Sequence, residues 1–186
     1  MSENIFFDIA KLKKCGANVI IGKTVRIRYP DLVEIGNNVI IDDFTYISTA
    51  LKIDGNVHIA AGCQLIGGRH ASITIGEFST LAPNVVLAAG SDDYISGIAS
   101  PLVPVEYKGR VEIGHIQLGR HCIVGANSTV LPNVIMQDGA AIGAQSLAKN
   151  KLSGWTLYGG IPTRALKERN RDEILRLEQL WKAEQL

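Results

Sequence analysis

The sequence predicts an all-β protein: a parallel β-helix of hexapeptide repeats, with a protruding loop and a C-terminal α-helix. Aliphatic residues recur every six positions, at Ile35, Ile41, Ile47, Ile53, Ile59 and Leu65, then Ile75, Leu81 and Leu87, then Leu118, Val124, Val130, Met136 and Ile142. Four positions after each anchor, the residue is small or valine in twelve of the fourteen cases, as at Val39, Cys63, Ser128 and Ser146. Helices repeat near 3.6 and strands at 2, so a sustained six demands short strands joined by regular corners. Three hexads close one triangular coil, and coils stack through parallel strand pairing. A sandwich, whose strands alternate at two and lie 8–12 residues apart, does not hold fourteen anchors in one register. Gly36, Gly76, Gly119, Gly125 and Gly143 directly follow anchors, where a sharp bend favours a residue without Cβ.

From the N-terminus, residues 1–17 read as a cap containing "IFFDIAKLKK", and residues 18–162 as the β-helix. About five coils at the normal strand spacing would stand about 25 Å tall. Two interruptions break the register. "IGGRHAS" (66–72) exceeds a hexad by four residues and predicts a small bulge, while residues 88–117, with Pro101, Pro104 and several glycines, predict an extruded loop. Its Tyr94, Val103, Val105 and Tyr107 suit an ordered arm packed against a neighbouring subunit. Residues 163–186 read as a helical segment in which Ile174, Leu175, Leu177, Leu180 and Trp181 form one apolar stripe, expected to cap the open end of the prism.

Composition narrows the function. With 186 residues, 46% of them hydrophobic, and a formal net charge of +1, the chain suits one domain and offers no polyanion-binding surface, against a nucleic-acid partner. Three cysteines without ligand spacing (Cys15, Cys63 and Cys122) indicate neither a disulfide framework nor a zinc site and suit a reducing, cytoplasmic setting. No apolar run reaches membrane-spanning length, so no membrane insertion is expected.

The anchors, together with "LGRHCIVGANSTVLPNV" (118–134), "AIGAQSLAKN" (141–150) and the exit motif "YGGIPTRALKER" (158–169), resemble the left-handed β-helix, hexapeptide-repeat acyltransferases. The likeness spans about residues 18–169 and is closest to the galactoside, maltose and sugar acetyltransferase branch, including members that acetylate nucleotide-linked amino sugars for bacterial polysaccharide. It implies left-handed winding, acetyl-CoA as donor, no metal, and a homotrimer with active sites between prisms.

Acyl transfer from a thioester needs a base for the nucleophile and donors for the oxyanion. Four histidines are candidates. In the galactoside-type members the catalytic histidine follows a hexad in a threonine-rich loop; the equivalent "NVVLAAGSD" (84–92) has Asp92 there. His58 in "NVHIAAG" is the first candidate base and His121 in "LGRHCIVG" the second, both expected to face outward; His70 and His115 lie in the bulge and at the end of the loop. Asp92 and Asp93 could orient an imidazole or hold an acceptor ammonium, or form a plain turn. By the resemblance, the small residues Ala126, Ala144 and Ser146 line the pantetheine groove, and Gly160, Pro162, Thr163, Arg164 and Lys167 flank the nucleotide of CoA. The leading expectation is N-acetylation of a nucleotide-linked amino sugar for O-antigen synthesis. O-acetylation of a sugar, a non-catalytic sugar-nucleotide-binding scaffold, and a zinc site drawing on His58, His115 and His121 are the alternatives.

Overall fold

Each hexad becomes one wall of a triangular coil. The computed structural model describes residues 8–184 and shows a left-handed parallel β-helix followed by a hairpin strand and one helix. The second wall consists of seven parallel strands, from Val19–Ile21 through Val39–Ile41, Val57–Ile59, Thr80–Leu81, Ile123–Val124 and Ala141–Ile142 to Thr156–Gly159. There are therefore seven coils, not five, and the prism stands about 30 Å tall. The additional coils lie at the two ends, where Cys15 and Tyr158 occupy anchor positions that an aliphatic pattern skips.

Register pairs the anchors into three ladders. Cys15, Ile35, Ile53, Ile75, Leu118 and Met136 stack inside the first wall. Ile21, Ile41, Ile59, Leu81, Val124, Ile142 and Tyr158 stack inside the second. Ile27, Ile47, Leu65, Leu87, Val130 and Ala148 stack inside the third. None of the fourteen sequence anchors is more than 2% exposed. Burying such a side chain contributes about 1.5–3 kcal/mol, so the ladders are the core.

The corner glycines act differently from expectation. At the first corner, between the first and second walls, the left-handed residue comes two positions after a glycine at Asn18, Asn38, Phe78 and His121, and directly after one at Asn56 and Trp155. Asn18, Asn38, Asn56, Phe78, His121 and Trp155 all have φ between 54° and 60°. The glycine is required by close approach: a Cβ on Gly76 would lie 2.6 Å from the Gly119 carbonyl carbon of the next coil. Asparagine tolerates the left-handed region well, and these asparagines form an amide ladder, Asn18 Nδ2 donating to Asn38 Oδ1 (3.0 Å) and Asn38 Nδ2 to Asn56 Oδ1 (3.1 Å). Farther along, rings replace amides: Phe78 stacks on His121 at 5.2 Å, and His121 lies 5.9 Å from Trp155.

The bulge is present within the long strand Gln64–Ile75, whose pairing jumps from Thr49↔Gly68 to Ala50↔Ser72. The arm is shorter than residues 88–117. Gly90–Ser91 pairs antiparallel with Glu112–Ile113, and His115–Leu118 is already back on the first wall, because Ile116 and Leu118 bury inward over Ile73 and Ile75.

The C-terminal segment also divides. Arg164–Glu168 is a strand antiparallel to Thr156–Gly159, and helix α1 runs over Arg171–Ala183 with the Asn170 side chain accepting from the Glu173 amide as N-cap. The strand, not the helix, covers the last edge of the second wall. Helix α1 instead lies along the first corner, where Trp181 meets Phe78 edge-on at 5.5 Å. The proposed N-terminal cap falls partly outside the described residues; within them, Lys14–Cys15 already pairs with Val33–Ile35, so the coils begin before residue 18.

Candidate active site at the root of the arm

The arm leaves the third corner, between the third and first walls, and its root is fixed by one carboxylate. Asp93 accepts hydrogen bonds from the amides of Ile95 (2.9 Å), Ser96 (3.0 Å) and Arg110 (2.9 Å). Those backbone donors hold its carboxyl below the usual range. Across the same neck, Gly97 approaches Lys108 so closely that a Cβ would lie 1.9 Å from its carbonyl oxygen. Of the readings open for Asp93, the turn is the one realised.

Asp92 is different. It is exposed and lines a cleft of about 410 Å³ with Ile66, Gly67, Ser91, Tyr94, Glu112 and Pro132. Beyond the cleft the arm presents Tyr94, Ile95 and Leu102 to solvent at 89–92% exposure. Beside it, His115 Nδ1 is 2.7 Å from Ser72 Oγ, and the His115 amide donates to Asn133 Oδ1, whose Nδ2 in turn donates to Glu112.

The histidines do not converge. His58 is exposed on the second wall, its Nε2 2.8 Å from Asp42 Oδ2. In a triangular coil that wall lies opposite the third corner, so His58 and Asp92 of one protomer face away from each other. His121 is not outward-facing: it is 8% exposed at the first corner, under helix α1, with Nε2 2.6 Å from Glu178 Oε2. Burial pushes the Glu178 carboxyl up, but hydrogen bonds from Lys182, His121 and Arg120 outweigh it and hold the pKa at about 2. His70 is exposed in the bulge. Because His58, His115 and His121 stand on two walls and a corner, one chain does not bring them onto one metal, and the described residues contain no group of three or more His, Cys, Asp or Glu that could hold one.

The residues expected to hold CoA follow the second corner and its exit. Ala126 and Ala144 occupy successive corners there, and Gly160 and Pro162 extend the line. Thr163 donates its amide to Leu147 O at 2.9 Å, and Arg164 and Lys167 are exposed on the hairpin strand. Ser146 is a correction. It is 4% exposed and turned inward, its hydroxyl donating to Ala144 O and accepting from the Gly160 amide. Its small size serves the packed interior, not a groove.

Three polar residues escaped sequence reading. Asp42 was findable, since pairing across coils places residue 40 beside His58 and Asp42 at the following corner. Glu178 and Arg169 carried no signal. Arg169 Nη1 donates to the carbonyls of His121 (2.8 Å) and Gly139 (2.7 Å), and burial lowers its pKa. No described helix is long and apolar enough to cross a membrane.

No family model matches the chain. It is 36% identical over 175 residues, covering 91% of this chain and 88% of the relative, to dTDP-4-amino-4,6-dideoxy-D-glucose acyltransferase of Escherichia coli. A crystal structure of a point mutant of AntD, an N-acyltransferase from Bacillus cereus, in complex with dTDP-4-amino-4,6-dideoxyglucose and coenzyme A superposes with a TM-score of 0.87, at 35% identity over 93% of this chain and 92% of that one. AntD in complex with dTDP and 3-hydroxybutyryl-CoA superposes with a TM-score of 0.90, at 33% identity over 99% of this chain and all of the other.

Proposed function

Since the chain belongs to the hexapeptide-repeat acyltransferase family that includes dTDP-4-amino-4,6-dideoxy-D-glucose acyltransferase, we propose that it transfers an acetyl group from acetyl-CoA to the amine of a dTDP-linked 4-amino-4,6-dideoxyhexose. The observation that carries this reading is the exposed carboxylate of Asp92 on the wall of the cleft at the arm's root. A carboxylate suits an amine acceptor: it attracts the ammonium form and accepts a hydrogen bond from the neutral amine, directing its lone pair. The amine nitrogen attacks the thioester carbonyl, the C–N bond forms, and the C–S bond breaks. The proton shed by nitrogen leaves with CoA as its thiol.

The donor is read as entering along the second corner, past Ala126, Ala144, Gly160 and Pro162, with Arg164 and Lys167 near its phosphates. A homotrimer is part of this reading, because a neighbour's arm can then meet a second wall that its own prism turns away. In that assembly the His58–Asp42 pair supplies a base from the adjacent protomer, the imidazole oriented by the carboxylate 2.8 Å away. The acylated sugar serves surface polysaccharide such as O-antigen.

Thiol release from acetyl-CoA and from 3-hydroxybutyryl-CoA, measured with dTDP-4-amino-4,6-dideoxyglucose and with simple glycosides, tests the proposal. Turnover restricted to the amino sugar, faster with acetyl-CoA, is expected. Acylation of glycoside hydroxyls alone overturns it in favour of O-acetylation, and a folded protein that binds no CoA by calorimetry overturns the enzyme reading.

A further inference from the structure

We infer that Arg28 and Arg69, held against the ring of Tyr29, form the site that takes the diphosphate of the nucleotide-linked acceptor. This rests on the acceptor class proposed above and assigns new residues to it. Three placements carry it.

The first is position along the axis. Strand register puts Arg26 beside Tyr46 and Tyr46 beside Gln64, and the Arg28 amide bonds Ile47 O. Arg28 therefore lies two coils before Ile66, which is on the wall of the Asp92 cleft. Two coils are about 10 Å, comparable to the reach from an amine on C4 of a hexose to a diphosphate on C1. Arg69 is nearer still, in the bulge two residues beyond Gly67 of the same cleft.

The second is chemistry. The guanidinium of Arg28 lies 5.5 Å and that of Arg69 5.3 Å from the centre of the Tyr29 ring, so their separation cannot exceed the sum of these distances. Arg28 also lies within interaction range of the Tyr46 hydroxyl, which favours its charged form. Arg69 Nη2 bonds Asp31 at 2.6 Å, and no other hydrogen bond of its guanidinium is formed among the described residues. The two cations are thus positioned before any ligand arrives, with one carboxylate, Asp31, paired to Arg69 alone, and they remain short of negative charge. Guanidinium forks match phosphate oxygens, and a diphosphate supplies the missing charge.

The third is direction. The donor residues lie at the C-terminal coils, whereas this cluster lies at the N-terminal coils, and the arm separates the two. In the proposed trimer, an acceptor along the third corner of one prism and a donor along the second corner of its neighbour can then approach from opposite ends and meet at Asp92.

The probe is dTDP itself, titrated by calorimetry into wild-type protein and into Arg28→Gln, Arg69→Gln and the double variant, alongside acceptor and acyl-CoA KM values. Each single change should weaken dTDP at least about tenfold, the loss of one charge-assisted contact, and raise the acceptor KM in parallel, leaving the acyl-CoA KM unaltered. Arg176→Gln, on helix α1, should change neither. Asp31→Asn should tighten dTDP, an effect that damage to the fold cannot mimic. Wild-type dTDP affinity in the double variant, or weaker binding in Asp31→Asn, overturns the assignment. If the double variant still acylates the amino sugar at wild-type KM, the assignment fails and the proposed activity stands. If dTDP binding follows the arginines but no amine is acylated, the activity fails and the nucleotide site stands.

Discussion

Asp92 and Asp93 are adjacent and identical in chemistry, and they stand in opposite surroundings. Asp93 spends both oxygens on three backbone amides, whereas Asp92 faces the cleft. Asp92→Asn is expected to lower kcat with the amino sugar by about 10²–10³, within the range of a positioned acid–base group, with CoA binding retained in calorimetry. Asp93→Asn is expected to loosen the arm, read as faster proteolytic cutting between residues 94 and 110, with reduced turnover as a consequence. The two also differ with pH. The folded-state pKa of Asp93 is depressed, so its hold on the arm is complete above the ordinary carboxylate range and lost as pH falls through its lowered value. The dipeptide alone could not tell the two apart, because a turn and an acceptor site ask for the same residue type; the neck formed by Ile95, Ser96 and Arg110 assigns the turn to Asp93 and leaves Asp92 open to the acceptor role proposed above.

Helix α1 is an amphipathic element whose docking partners are corner side chains, not the end of the prism. Glu178 accepts from Lys182 (2.7 Å), His121 (2.6 Å) and Arg120, and Trp181 meets Phe78. Its pKa of about 2 lies below its unfolded value of about 4.3. The docking contribution is therefore whole above that unfolded value and disappears as pH falls towards 2. Fluorescence of Trp155 and Trp181 should report release of the helix across this acidic window, and Glu178→Gln should weaken docking at neutral pH by about 2 kcal/mol, as expected when an ionic acceptor of partly buried donors is removed. The stripe Ile174, Leu177 and Trp181 was visible in the sequence, as was the helix. Its destination was not, since nothing in residues 171–183 specifies that His121 waits fifty-seven positions earlier.

On the scale of the whole molecule, stability is a sum over neighbouring coils. Leu87 sits in the fourth coil between Leu65 and Val130. Leu87→Ala is expected to cost about 2–5 kcal/mol, measured as a lower denaturation midpoint. The period of six made the winding legible because every wall repeats the same demand for an inward aliphatic. It undercounted the coils where cysteine or tyrosine meets that demand, and it misread Ser146, because a small residue in register suits an interior as well as a groove. The residues proposed to face substrate were less legible: the hexad dictates what points inward and leaves the outward side free to vary.

The strand Arg164–Glu168 has one further consequence. A stack of parallel rungs offers at its terminus the same template that it used to grow, and a second prism could add there end to end. By running backwards along Thr156–Gly159, this strand presents the wrong polarity to any newcomer. The chain thereby carries its own terminator against fibre formation.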